Sequence, residues 1–353
     1  MQKTLLEHPV PPARTDERAE RRRLPVPRSA LALIIMVVLA GGILSVRLPY
    51  VILEPGPAPD AQALVKISAP THDRAGSIHL TTVGLFDQVR LPQLVAAWFN
   101  KTMSIVARDV LFPNNQTQQQ VTRQNTADMD QSQHDAGIAA LGELYGYQSL
   151  PSKGVLVADT VPSTPASRVL EGGDVITVAD GHALTTPEQL ESVVQGHAVG
   201  QTVHLSVARG SQTLTLDVAT VQNSQPSPAP QRIVGVQVEP DYVPAVDIKI
   251  DAGAIGGPSA GLSWALSIVN LLGPTDLSRG RTIADTGTID YRGNVGPIGG
   301  IAQKVVGAER VGASIFIVPK DQAKEATAAA AGSHMRVVGV STLHEAVVAL
   351  SNP

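Results

Sequence analysis

The stretch GGPSAG at residues 256–261 is followed at once by an apolar run, LSWALSIVNLL, at residues 262–272. The run ends at a Gly-Pro pair (273–274), which is typical of a helix end. Pro258 suits a first helical position. The pattern therefore predicts a helix whose first turn contains Ser259, where free backbone N–H groups and the positive end of the helix dipole face the serine oxygen.

Three interpretations of Ser259 follow from this position. A serine that begins a helix is usually a cap. The same place suits a nucleophile of acyl transfer, because negative charge develops on the substrate oxygen beside it. Residues 257–261 also fit the Gly-x-Ser-x-Gly elbow of α/β-hydrolases, with Asp285 and His334 following in triad order. About 27 residues separate Ser259 from the Pro/Ser-rich segment before it, too few for the strands that elbow requires, so we reject the hydrolase interpretation.

A second signal lies downstream, in TGTID (286–290) and VGPIGGIAQKVVGA (295–308). Wound as a helix, the second segment puts Lys304 at the edge of an apolar stripe and places Gln303 and Arg310 on the opposite face. A desolvated lysine has its pKa lowered from about 10.4 and can act as a base near neutral pH. The alternative is a lysine that extends past the stripe to water.

Three motifs together resemble the proteolytic domain of Lon proteases, a family of Ser/Lys peptidases, over about 239–353. They are GPSAG, TG-x-I and G-x-V-x-PIGGI-x-x-K-x-x-GA. The resemblance implies that Ser259 is the nucleophile, that Lys304 is the general base and that Thr286 lies near the lysine. Backbone N–H groups around Ser259 and Ala260 should line the oxyanion site, with Gly257 as further support.

The chain departs from that family at one place. Many members carry an acidic residue shortly before the Gly-Gly-Pro-Ser segment, whereas Asp251 lies eight residues before Ser259. At this distance Asp251 does not match the family's acidic position, and Asp285, next to Thr286, is the substitute candidate for a carboxylate that tunes Lys304.

The pattern of short strands, turns and a helix in residues 136–222 predicts a separate domain. A Thr-Pro-x-Gln start at 186–189 predicts a helix that runs to about Gln195, and alternating strands are predicted at 203–208 and 213–218. PA-x-x-x-L-x-x-GDVI at residues 165–176 resembles the PDZ domains of bacterial envelope proteases. A PDZ groove takes an extended peptide as an added strand; the alternative is that the domain only packs against its neighbour.

The N-terminal segment is basic and then apolar. Residues 1–29 hold seven basic and four acidic residues, and an uncharged run of 18 residues follows at 29–46. As a helix this run would be about 27 Å long, just enough for the hydrocarbon core. Six arginines precede it within twenty residues, which predicts a cytoplasmic N-terminus. We therefore expect a transmembrane anchor at 30–46, with a cleaved signal peptide or a core helix as alternatives.

The remaining segments complete the predicted organisation, an α+β multidomain chain. SIHLTTV at 77–83 alternates like a strand, 91–99 resembles a helix, and the Gln-rich stretch 114–134 fits a linker or a helix equally. The predicted parts are a cytoplasmic basic tail (1–29), the anchor (30–46), a β-rich juxtamembrane region (47–135), a PDZ domain (136–222), a Pro/Ser linker (223–231) and a Lon-type α/β proteolytic domain (232–353).

Composition narrows the function. The chain has 353 residues, 43% of them hydrophobic, with net charge −4 and no cysteine. Thiol chemistry and cysteine-based metal sites are thereby excluded, and no overall basic footprint for nucleic acid appears. No phosphate-binding loop is present, and the histidines are scattered, so we expect no nucleotide, cofactor or metal.

The order of anchor, PDZ domain and proteolytic domain resembles the PDZ-containing Lon-like proteases of bacterial envelopes. It implies an ATP-independent serine endopeptidase that acts outside the cytoplasm on unfolded or chain-end segments of envelope proteins, partly captured by the PDZ domain. Its expected partners are those segments, the lipid bilayer and further copies in a ring, with a hexamer as the common size. The alternative is a non-catalytic PDZ scaffold whose Lon-like domain serves assembly.

Overall fold

The computed structural model describes residues 28–112, 117–223, 232–253 and 255–352. Most of the predicted basic tail and of the predicted linker lies outside these residues. The helices of the described part are α1 (Arg28–Ser45), α2 (Leu91–Phe99), α3 (Arg108–Leu111), α4 (Gln118–Tyr145), α5 (Pro187–Gln195), α6 (Gly261–Leu272), α7 (Ile301–Arg310), α8 (Ala323–Ala329) and α9 (Leu343–Ser351).

Helix α1 covers the segment for which a transmembrane anchor was predicted at 30–46. Within the ranges that the structure describes, no helix has the length and apolar character needed to cross a bilayer. The predicted helix is therefore present, whereas its predicted membrane-spanning character is unsupported.

The predicted juxtamembrane region does not form a unit of its own. Its strands are β1 (Tyr50–Pro55), β2 (Val65–Ile67), β3 (Ser77–Leu80), β4 (Val83–Phe86) and β5 (Ser104–Ala107). Strands β4, β1 and β5 form an antiparallel sheet. The other two strands pair with strands far along the chain: β2 with β14 (Ile248–Ile250), and β3 with β15 (Thr282–Asp285). Because these pairings join segments about 180 to 200 residues apart, no local pattern could reveal them.

A second sheet forms around the PDZ-like segment. Its strands are β6 (Ser152–Thr160), β7 (Val175–Ala179), β8 (His182–Ala183), β9 (Thr202–Arg209), β10 (Gln212–Ala219) and β13 (Val236–Tyr242), in the order β10-β9-β7-β6-β13 with β8 on β7. The short β11 (Val221–Gln222) and β12 (Arg232–Ile233) pair with each other. Helix α5 has the predicted bounds, and Gln189 Oε1 accepts the Thr186 N–H as the capping pattern requires.

The third unit is a parallel sheet, β19-β18-β15-β3, which adds β18 (Ile315–Pro319) and β19 (Arg336–Val340) to the strands above. A small hairpin, β16 (Thr288–Ile289) with β17 (Val295–Gly296), follows β15. Helix α6 is almost wholly buried, including Trp264 near its start, and α6, β3 and α9 share one apolar core.

Helix α4 resolves the ambiguity of the Gln-rich stretch in favour of a helix. Its buried face contributes Met129, Ala136, Ala139 and Ala140 to the same core as α6, whereas the core of the PDZ sheet begins at Val155. The helix therefore belongs to the unit that carries the predicted catalytic residues.

The structure consequently places the PDZ boundaries differently from the predicted 136 and 222. The apolar core of this unit runs from Val155 to Val238, and its edge strand β13 follows the predicted linker at 223–231. The unit is inserted between α4, which packs against the predicted nucleophile segment, and β14, which precedes that segment in the chain.

Candidate active site

Ser259 lies in a tight turn that leads into α6. The turn begins at Gly257, whose φ of 84° is a conformation that favours glycine, and it continues as a 3-10 turn over Pro258–Ala260. Helix α6 starts at Gly261, so the Ser259 side chain lies at the positive end of the helix dipole, as predicted. Ser259 is half-buried and Ala260 is buried in the core.

Lys304 meets this turn from α7. Its Nζ lies 2.8 Å from Ser259 Oγ and 2.8 Å from Thr286 Oγ1, although the lysine and the serine are 45 residues apart in the chain. The Lys304 side chain is only 2% exposed. The lysine therefore ends at the serine hydroxyl and does not extend to water.

Thr286 connects the two candidate catalytic groups. Its hydroxyl accepts from Lys304 Nζ and donates to the backbone carbonyl of Ser259 at 3.2 Å. The Gly287 N–H donates to the same carbonyl at 3.1 Å. These two bonds hold the nucleophile segment against the strand end that carries Thr286. The threonine thus positions both Lys304 and Ser259.

The burial of Lys304 changes its acid–base behaviour. Removal from water disfavours the ammonium form and lowers the pKa of Lys304 to about 7, with the charge of Asp285 opposing that shift. Asp251, the acidic residue that precedes the Gly-Gly-Pro-Ser segment, has no such effect on Lys304. A neutral amine is therefore accessible to Lys304 at physiological pH.

Asp285 is the carboxyl group buried beside the lysine. It is wholly inaccessible to solvent, and burial raises its pKa to about 7. One carboxyl oxygen accepts from Ser263 Oγ at 2.5 Å, and the other, Oδ2, has no hydrogen-bond partner among the described residues. An unpaired oxygen at this depth favours the protonated acid. Of the two carboxylates considered from the sequence, Asp251 and Asp285, it is therefore Asp285 whose charge acts on Lys304.

Two contacts from α4 complete the site, and sequence analysis missed both. Ser132 Oγ donates to the Pro258 carbonyl at 3.1 Å, and the Gly257 N–H donates to the Asn125 carbonyl at 3.0 Å. A Cβ at Gly261 would lie 2.7 Å from Ser132 Oγ, so that glycine allows the helix its close approach. The polar, Gln-rich sequence of α4 does not indicate that one face of this helix packs against the turn that carries Ser259.

The prediction for Gln303 was wrong. Instead of facing solvent opposite Lys304, its side chain is buried and donates to Ser104 Oγ of β5 at 2.8 Å. The sheet of β1, β4 and β5 covers the face of α7 that the helical pattern assigned to water, whereas Arg310 is exposed as predicted. An uncharged amide tolerates this burial because Ser104 Oγ and the Thr102 carbonyl accept its hydrogen bonds.

The other predicted site residues have clear places. Gly257 shapes the turn and gives its N–H to α4, and Ala260 begins the buried part of the helix. His334 lines a separate surface depression with Glu309 and Gly312, so it does not complete a triad with Ser259. In the described part of the chain, no three His, Asp or Glu side chains are grouped to hold a metal ion.

Comparison with known proteins finds two domain matches in the chain. Residues 229–350 match the model of the Lon protease (S16) C-terminal proteolytic domain, and residues 120–220 match a PDZ domain model. The PDZ match includes most of α4, which packs with the proteolytic unit.

Curated relatives are similar over part of the chain. Lon protease 1 of Bacillus subtilis is 34% identical over 163 residues, which are 44% of this chain and 20% of the relative. Lon protease of Roseiflexus castenholzii is 37% identical over 101 residues (28% of this chain, 12% of the relative), and that of Rickettsia bellii is 42% identical over 82 residues (23% and 10%). The chain thus spans a fifth or less of the length of these relatives.

Solved structures are similar over the PDZ part. The PDZ domain of the SdrC-like protein from Listeria monocytogenes has 23% identity and a TM-score of 0.23, covering 26% of this chain and 92% of that chain. Its counterpart from Listeria innocua has 21% identity and a TM-score of 0.22, covering 24% and 92%. The two domain matches thus show a segment similar to PDZ domains followed by a segment similar to the C-terminal proteolytic domain of Lon protease (S16).

Proposed function

We propose that the chain is an ATP-independent serine endopeptidase whose catalytic dyad is Ser259 and Lys304. The observation that carries this proposal is the 2.8 Å approach of a buried lysine amine to a serine hydroxyl at a helix start. Thr286 is the positioning residue for both groups.

The proposed reaction follows from this arrangement. The neutral Lys304 amine takes the proton of Ser259 as Oγ forms a bond to the peptide carbonyl carbon. The oxyanion develops near the N-terminal end of α6, which stabilises negative charge. The C–N bond then breaks, and the proton on Lys304 passes to the leaving amine. Water releases the acyl group with the same lysine as base, and Ser259 regains its proton.

Digestion of an unstructured protein tests this function. The purified chain is incubated with casein, without nucleotide, and the products are identified by mass spectrometry. Internal cleavage without ATP supports the endopeptidase. Intact casein under all conditions would favour the non-catalytic scaffold.

We also propose that the PDZ domain captures substrate segments in a groove between α5 and β13. The groove measures about 200 Å³ and is lined chiefly by apolar side chains, among them Leu190, Val194, Ile233 and Val236. Strand β13 ends its sheet, so one edge is available for an added strand. The strand lies outside the predicted domain limits, and a deletion of 136–222 would leave it unpaired and cut through α4.

A point change tests capture better than that deletion. Ile233→Asp puts a negative charge in the groove. Val199→Asp introduces the same charge outside the groove, at a valine of the PDZ unit that is 54% exposed. We expect Ile233→Asp to lower the ratio of kcat/KM for casein over a short peptide by about tenfold, because capture raises local substrate concentration only for long chains. An unchanged ratio, or an equal fall in Val199→Asp, would contradict capture.

The location of the enzyme is part of the proposal. The charge asymmetry around 29–46 supports an N-terminus in the cytoplasm and a catalytic domain outside it. The apolar side chains of α1, such as Leu33 and Val38, are exposed in the isolated chain. We expect the protein to stay with membranes through carbonate extraction and to be degraded by protease added to spheroplasts. Recovery in the soluble fraction would contradict this location.

Assembly into a ring, proposed from the resemblance, is measured by light scattering.

A further inference from the structure

A cleft of about 730 Å³ runs along α4 beside the nucleophile segment. One wall is the exposed side of α4, and the other is formed by residues 250–253, 255 and 256, from the end of β14 to the Gly-Gly-Pro-Ser turn, with Leu85 of β4 beside them. Its lining from α4 is Thr122, Asn125, Thr126, Met129, Asp130 and Gln133.

The cleft ends next to the candidate active site. Gly256, three residues before Ser259, lines it, and the next residue, Gly257, is hydrogen-bonded to Asn125 on the opposite wall. A polypeptide lying in this cleft would therefore reach the segment that carries the nucleophile, although Ser259 itself is not part of the lining. The α4 wall precedes the residues that match the Lon proteolytic domain, so this wall is contributed by a segment outside that match.

The charges in the cleft have one sign. Asp130 stands on the α4 wall and Asp251 on the facing wall, and no lysine, arginine or histidine of the described ranges lines it. Both aspartates are exposed, and apolar side chains such as Met129 and Ile250 lie between polar ones. A cationic side chain would be attracted to this space, and an anionic one would be repelled.

We propose that this cleft binds the substrate chain and that Asp130 and Asp251 select segments carrying lysine or arginine over segments carrying aspartate or glutamate. The proposal rests on the proposed peptidase function for its consequence in cleavage. It assigns Asp251 a role in substrate selection in place of a role in tuning Lys304.

Matched peptides test this selectivity. Three internally quenched peptides of one length carry Lys, Gln or Glu on both sides of a common apolar centre. For the wild-type chain we expect kcat/KM to be about tenfold higher for the Lys peptide than for the Glu peptide, with the difference shrinking at high salt. The double variant Asp130→Asn, Asp251→Asn should bring the ratio close to one. Asp128→Asn, on the same helix but outside the cleft lining, should keep the wild-type ratio.

Binding separates this inference from the catalytic proposal. The same peptides, without quencher, are titrated into Ser259→Ala protein and followed by fluorescence anisotropy. Preferential binding of the Lys peptide without cleavage by the wild type would overturn the peptidase but support the cleft. Equal treatment of Lys and Glu peptides in both assays would overturn the cleft proposal, as would a double variant that keeps the preference. Should the double variant misfold, each single variant is expected to lower the ratio about threefold.

Discussion

Ser259→Ala is expected to lower kcat/KM for casein and for short peptides by more than about 10³-fold, because the acyl-enzyme forms on the Ser259 hydroxyl. The change removes only Oγ. The backbone carbonyl of Ser259 keeps its bonds from Thr286 and Gly287, and the Gly257 turn is untouched. The free energy of unfolding should therefore change by no more than about 1 kcal/mol.

Ser267→Ala is the matched control for this prediction. Ser267 is buried on the same helix, and its Oγ has no hydrogen-bond partner in the part of the chain that the structure describes. Its loss should leave activity unchanged and stability equal or slightly higher. Cleavage by Ser259→Ala above a few per cent of wild type, with contaminating proteases excluded, would remove Ser259 from the role of nucleophile.

The elements that sequence predicted well are those specified by nearby residues. Helix α5 has a cap, a proline and a glutamine within four residues, and its bounds are as predicted. Helix α2 coincides with its apolar pattern. The place of Lys304 beside an apolar stripe also followed from helical spacing, because α7 packs through that stripe on its own domain.

The elements that it missed depend on partners far along the chain. Strand β13 joins the PDZ sheet by pairing with β6 across about eighty residues, beyond a Pro/Ser-rich segment that looks like a domain end. Gln303 is buried because β5, some two hundred residues earlier, covers it. Ser132 lies in a polar helix, and nothing in the sequence around it indicates that its hydroxyl contacts the turn that carries Ser259. Such contacts carry no periodic signature, so sequence pattern alone could not place them.

The insertion of the PDZ unit bears on how capture and cleavage are connected. The unit leaves the proteolytic fold at the end of α4 and returns through β13 to β14. Tyr242 at the end of β13 packs near Tyr147 and Tyr291, with ring centres 6.3 Å apart in both pairs. Strand β13 is followed along the chain by β14 and then by the wall of the proposed substrate cleft. A substrate chain bound along β13 would thus lie on the strand that leads into the catalytic unit.

Lys304→Arg is expected to be as inactive as Lys304→Met, with both losing more than about 10³-fold in kcat/KM. Arginine keeps the positive charge but does not release its proton in a protein, so it cannot accept the proton of Ser259. Methionine fills the buried space without charge. If the Lys304→Arg variant supported substantial cleavage, the role of Lys304 would be electrostatic and the general base would lie elsewhere. Circular dichroism and thermal melting verify that both variants fold.

The pH profile distinguishes a base from a structural lysine. For the wild type, kcat/KM should rise with pH through an apparent pKa near 7 and then level off, because only the neutral amine is active. Asp285→Asn removes a carboxyl group whose ionised form, present in part near pH 7, favours the ammonium form of Lys304, so the rising limb should move to lower pH. Ser263→Ala removes a hydrogen bond to the Asp285 carboxylate and so favours the neutral acid, which should move the limb the same way. A rising limb near pH 10, or one that neither change moves, would show that buried Lys304 is not the titrating base.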